Sequence, residues 1–99
     1  MVADKLIGGM ENIMKREVQI TNALGLNASN APHLVQKANM YKSSIWIETE
    51  GRKVNAKSLL GVISLGVKKD MKIVIRAEGS DEKDAIDGIV DIIQNGFGD

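Results

Sequence analysis

The 99-residue sequence has no cysteine. That excludes disulfides, thiol nucleophiles and cysteine-bound metals. Its one histidine, His33, excludes a multi-histidine metal centre within a single chain. Aromatic residues are limited to Tyr41, Trp46 and Phe97, so aliphatic side chains have to fill the core. Neither sign of charge prevails, because 13 basic residues face 13 acidic ones. This balance removes the electrostatic ground for binding nucleic acid or an anionic membrane. No apolar run approaches the roughly 18 residues of a spanning helix. Near the N-terminus, Leu6-Ile7 gives way to Gly8-Gly9 too soon for a secretory core. These absences predict a cytoplasmic protein without a bound cofactor or metal.

Apolar residues make up 43% of the chain, enough for one compact core. Residues 1–15 read as an N-terminal arm in which Leu6, Ile7, Met10, Ile13 and Met14 have loose helical spacing broken by the glycine pair. A domain over 16–99 follows. Arg16–Thr21 alternates and predicts a strand with Val18 and Ile20 on one face. Asn30–Tyr41 predicts a helix with Ala31, Leu34, Val35 and Ala38 inward. Ser44–Glu50 predicts a second strand, with Ile45, Ile47 and Thr49 inward and Trp46 outward beside residues such as Val74. A turn at Glu50-Gly51-Arg52 leads to a short return strand over Lys53–Asn55. Ser58–Leu65 predicts a two-turn helix and Met71–Glu78 a further strand. Ser80 is placed to cap a last helix that stops at Gly96, with Ala85, Ile86, Ile89, Val90, Ile92 and Ile93 inward. Because each strand alternates, each buries one face. That predicts an α+β fold with helices on one side of an antiparallel or mixed sheet.

The segment GLNASNAPHLV, residues 25–35, concentrates capping residues at a helix mouth. Asn27, Ser29 and Asn30 can each accept from backbone N–H groups, and Pro32 suits a first turn. A helix start of this kind can hold an anion.

The element order resembles that of the HPr family, the histidine-containing phosphocarriers of the bacterial sugar phosphotransferase system. The hairpin GRKVN, the helix start AKSLLGV, the following SLGV and the opening GSDEKDAI of the last helix carry the likeness, which covers residues 16–95. It implies an open-faced sandwich of four antiparallel strands with three helices on one face. In the family a glycine, an aliphatic residue, a histidine, a small residue, an arginine, a proline and an alanine precede the first helix. This chain has Gly25-Leu26-Asn27-Ala28-Ser29-Asn30-Ala31. Asn27 therefore stands where the phosphorylated histidine would be, Ser29 where the arginine would be, and Asn30 where the proline would be. An amide is a very poor nucleophile and cannot take the imidazole's place in accepting a phosphoryl group. Without the arginine, the guanidinium fork that would grip a phosphate is also missing. Weak anion binding at the mouth is the remaining expectation there.

The resemblance also singles out Ser58 in Lys57-Ser58-Leu59-Leu60-Gly61. In Gram-positive relatives the matching serine is phosphorylated by a dedicated ATP-dependent kinase. A phosphate at a helix start meets free N–H donors and the positive end of the dipole. An ordinary N-cap also explains a serine there. The matching apolar positions, Leu59, Leu60 and Ile63, with Lys57 beside them, form the family's docking surface for enzyme I, permease components, the kinase and a repressor. Val62 and Leu65 read as core.

Three functions follow. The first is a regulatory, non-enzymatic protein of carbon-catabolite repression, phosphorylated on Ser58 by HPr kinase/phosphorylase and binding a LacI-type catabolite repressor. Catabolite repression HPr is a relative of this kind, with an amide in place of the histidine. The second is a sugar-transport phosphocarrier working through His33, which lies six residues past Asn27, on the helix surface. The third is a ligand-binding or assembly domain that has left the pathway. The expected state of the protein is a monomer or weak homodimer.

Overall fold

The computed structural model describes residues 13–98. Four strands, β1 (Ile13–Gln19), β2 (Ser44–Thr49), β3 (Arg52–Asn55) and β4 (Lys72–Glu78), alternate with three helices, α1 (Ala31–Ala38), α2 (Leu59–Ser64) and α3 (Glu82–Gln94). The sheet is antiparallel in the order β1-β4-β2-β3. β1 starts three residues before the predicted strand, inside the segment read as an arm, because Ile13, Met14 and Lys15 continue the ladder opposite Glu78, Ala77 and Arg76. The rest of that segment, residues 1–12, lies outside the described residues.

Alternation decides which sheet face is covered. Ile45, Ile47 and Thr49 on β2 and Ile73, Ile75 and Ala77 on β4 are all buried under the helices. Trp46, Glu48, Val74 and Arg76 lie on the other face. Trp46 is opposite Arg76 and Asn55, with the Lys53 ammonium 5.4 Å from its ring centre, so Val74 is a diagonal rather than a direct neighbour. A cleft of about 410 Å³ on this side is lined by Glu48, Glu50, Arg52, Lys53 and Lys72, and it borders neither Asn27 nor Ser58. Glu48 is ion-paired with Arg76.

On the helical side α3 contributes Ala85, Ile86, Ile89, Val90 and Ile93 to one continuous core, with Ile92 only partly buried. Each fully buried aliphatic side chain there contributes about 1.5–3 kcal/mol. α3 starts at Glu82, and its cap residue is Asp81 rather than the predicted Ser80. The Asp81 carboxylate reaches across to the two residues before β2, accepting from the backbone N–H groups of Lys42 (2.8 Å) and Ser43 (2.9 Å) and from the Ser43 hydroxyl. After α3 the chain makes a short turn at Gly96–Gly98 that returns Phe97, with no exposure at all, to the core. α1 ends at Ala38, short of the predicted Tyr41, as the Asn39 side chain donates to the Val35 carbonyl at 2.9 Å and closes the last turn.

Candidate functional site

The loop between β1 and α1 is set by one close backbone approach. Gly25 has φ +63°, and a side-chain carbon there would collide with the Val67 carbonyl and come within 2.8 Å of the Lys68 Cα. Only glycine fits. The next residue, Leu26, is buried and donates its N–H to the Val67 carbonyl at 3.0 Å. These contacts hold Asn27 in the turn that leads into α1.

Asn27 fills the mouth itself. Its side-chain Oδ1 accepts from the N–H groups of Ser29 (2.8 Å) and Asn30 (3.1 Å). Its own carbonyl accepts from Ala31 N–H at 2.8 Å, and the Asn30 carbonyl accepts from His33 N–H at 3.0 Å. Pro32 has no N–H. The amides from Ser29 to His33 are therefore already engaged. In this arrangement a phosphate would have to displace the Asn27 amide. Asn30 is 4% exposed and has a structural part. Its Oδ1 accepts from Asn27 N–H at 2.9 Å and its Nδ2 donates to the Gly25 carbonyl at 2.7 Å. It does not cap α1 through its side chain. The sequence marks Asn30 as polar and turn-forming but gives no sign that it is a buried connector.

Ser29 and His33 are both exposed. The histidine lies on the outer surface of α1, past the mouth. A grip on phosphate through Ser29 would consist of one hydroxyl, without the charge that a guanidinium supplies.

The second site is at the start of α2. Ser58 is the N-cap, in extended backbone conformation (φ −106°, ψ 113°), and its Oγ accepts from Gly61 N–H at 3.1 Å. The hydroxyl is half-buried and keeps its own proton free. The N–H groups of Leu59 and Leu60, in the first turn, have no acceptor inside so short a helix. Leu60 is 82% exposed and Leu59 40%, whereas Ile63 is half-buried against the core. Val62 and Leu65 are buried, as their spacing predicts. Leu24 (74%) and Met40 (70%) are further exposed apolar side chains, outside the positions singled out by sequence. Lys57, assigned to the partner surface by resemblance, turns its ammonium inward to the Tyr41 carbonyl at 2.8 Å.

Asn27 and Ser58 thus differ in kind: one side chain closes onto two backbone N–H groups, the other is a half-buried hydroxyl beside exposed leucines. Comparison with known proteins gives the frame. Residues 14–95 match the family described as the PTS HPr component phosphorylation site. The chain belongs to the HPr family. It is 37% identical over 82 residues to the HPr-like protein Crh of Halalkalibacterium halodurans, covering 83% of this chain and 98% of that one. The crystal structure of HPr-C-His from Thermoanaerobacter tengcongensis superposes with a TM-score of 0.83 at 42% identity, covering 87% of this chain and 97% of that one. That of Bacillus subtilis Crh, a domain-swapped dimer, gives 0.68 at 35% identity, covering 81% and 92%. The fold is therefore the HPr open-faced sandwich, and the chain is a member of the HPr and Crh phosphocarrier group of the phosphotransferase system and catabolite repression. Among the described residues no helix is long and apolar enough to cross a membrane.

Proposed function

We propose that this HPr-family protein is regulatory: it acts through ATP-dependent phosphorylation of Ser58 and does not relay phosphohistidine. The observation that carries the reading is the Asn27 side chain, which is no nucleophile and whose oxygen takes the Ser29 and Asn30 N–H groups. Ser58 offers the contrasting chemistry. In the transfer, Ser58 Oγ bonds to the γ-phosphorus of ATP and the bond to the bridging oxygen breaks. ADP leaves, and the hydroxyl proton passes to a base of the kinase. The new phosphate adds about two negative charges beside exposed Leu59 and Leu60. The patch then has two states and selects between partners. HPr kinase/phosphorylase is the proposed modifier and a LacI-type catabolite repressor the proposed partner of the phosphorylated form. Enzyme I and permease components are the proposed partners of the unmodified patch. In this reading the protein is a cytoplasmic monomer or weak homodimer and not an enzyme.

Incubation with ATP and HPr kinase, followed by mass spectrometry, tests the proposal. The expected result is one acid-stable phosphate on the native protein and none on Ser58→Ala. Phosphoenolpyruvate and enzyme I should leave the protein unlabelled. An acid-labile adduct on His33 would overturn the reading in favour of a phosphocarrier by another route. Failure of both reactions would favour a domain that has left the pathway.

A further inference from the structure

Ser58 lies in a segment with few anchors. Upstream, Ala56 is buried and its N–H donates to the Ile45 carbonyl at 2.8 Å. Downstream, Val62 is buried in the core. Between them the backbone bonds are local. Lys57 N–H donates to Asn55 Oδ1 at 2.8 Å, Ser58 N–H to the Asn55 carbonyl at 3.0 Å, and Gly61 N–H to Ser58 Oγ at 3.1 Å. These tie the turn to Asn55, the last residue of β3, and to the first turn of α2, all within the connection itself. α2, with six residues, is also too short to hold its own start in place. Among the described hydrogen bonds of residues 57–61, one reaches beyond the β3–α2 region: Lys57 Nζ to the Tyr41 carbonyl at 2.8 Å, in the connection between α1 and β2.

We infer that Lys57 is a positioning residue for Ser58, tying the start of α2 to the connection between α1 and β2 so that the hydroxyl is held in one presentation. The inference rests on the regulatory reading above. The backbone geometry gives the tether its direction. Ser58 is extended, so neighbouring side chains leave on opposite sides. The Lys57 ammonium goes to the Tyr41 carbonyl while the half-buried Ser58 hydroxyl stays at the start of α2, over the Gly61 N–H. The tether therefore holds the serine without covering it. A lysine suits this task because its long stem spans the gap and its charge strengthens the bond to a neutral carbonyl. The Tyr41 end is itself fixed: its hydroxyl lies against Gly88 of α3, where no side-chain carbon could fit, and its ring has the Lys37 ammonium 5.9 Å from its centre. The presentation of Ser58 is thereby referred to α1 and α3 rather than to α2 alone.

The experiment compares full-length native protein with Lys57→Met, Lys57→Arg and Asn55→Ala. Two readouts are taken: amide hydrogen exchange at Ser58, Leu59 and Gly61 in the unmodified chain, and kcat/KM for Ser58 phosphorylation by HPr kinase at low and high salt. Loss of one charge-assisted bond in a half-exposed place should speed exchange and lower kcat/KM by about five- to tenfold in Lys57→Met. Lys57→Arg, which keeps a donor, should restore both. Asn55→Ala, which keeps the lysine charge but loosens the same turn, should move both in the same direction. The ratio of native to Lys57→Met should persist at high salt, because an internal bond is screened little. Unchanged exchange in Lys57→Met would overturn the inference. So would a ratio that collapses towards one in salt, which would mark Lys57 as a docking charge for the kinase. If native protein takes no phosphate at all, the regulatory reading falls, and the exchange comparison still judges the tether by itself.

Discussion

Replacing Asn27 by alanine is the most direct probe of the closed mouth. The side-chain oxygen accepts two backbone N–H groups, from Ser29 and Asn30. Removing it leaves both at a helix start without their acceptor. Losses of such caps lie at about 0.5–2 kcal/mol. Asn27 is half-exposed, so water can reach the freed donors and the cost should fall near the middle, about 1 kcal/mol. In a domain of this size that lowers the Tm by about 4–8 °C. Thermal unfolding followed by circular dichroism reads the shift, and urea unfolding gives the free energy independently. Asn27→Asp provides the control. A carboxylate accepts from the same two N–H groups and is favoured by the helix dipole, so its stability at neutral pH should equal or exceed the native value. Phosphate should raise the Tm of Asn27→Ala more than that of the native protein, because the freed donors can then take an anion. A Tm for Asn27→Ala within about 1 °C of native, with no differential effect of phosphate, would refute the claim that this amide closes the site.

Three further outcomes follow from the same structure. Asn30→Ala removes a buried partner of both Asn27 N–H and the Gly25 carbonyl and should cost about 2–3 kcal/mol in urea unfolding, more than Asn27→Ala. Gly88→Ala gains about 1 kcal/mol of helix propensity, yet the new methyl group collides with the Tyr41 hydroxyl and lies 3.0 Å from Lys37 Cε. The net effect should be destabilising by about 1–2 kcal/mol, with Tyr41→Phe in the same chain recovering part of it. The Asp81 carboxyl is lowered from 3.8 to about 2, first by the Ser43 hydroxyl and then by the Lys42 N–H. A depressed carboxyl contributes stability that is present above its unfolded value and lost as pH falls through the folded one. Acid unfolding should therefore steepen below about pH 4 towards pH 2 in the native protein and be flatter over that window in Asp81→Asn, as read by the pH dependence of Tm.

Most of the elements could be read from periodicity because their residues obey it locally. β2 and β4 alternate, α3 has a clear apolar stripe, and the turn at Glu50-Gly51 precedes a return strand; all of these recur in the structure. The boundaries that moved did so where a distant partner takes over. Ile13 and Met14, which seemed to continue a helical arm, join the sheet because β4 has residues opposite them. Asp81 replaces Ser80 as the cap of α3 while its carboxylate binds Ser43, just before β2, a bond across 38 residues that no local pattern announces. The two candidate sites separate in the same way. The exposed leucines after Ser58 follow from a short helix with more apolar residues than it can bury, and that surplus is visible in the letters.

By itself the sequence determined which chemistry is closed to position 27. Nucleophilic chemistry belongs to side-chain atoms, and an asparagine at position 27 lacks the imidazole nitrogen wherever the chain places it. It also determined the family, through a run of turns and helix starts whose geometry is local. What the tertiary structure alone decided is where the hydrogen bonds go. Asn27 turns its oxygen into the mouth, Asn30 becomes a buried connector, and Lys57 reaches Tyr41 instead of solvent. The reason is physical: donors and acceptors are paired by proximity once the core has closed, and that proximity joins residues whose separation along the chain carries no periodic signal.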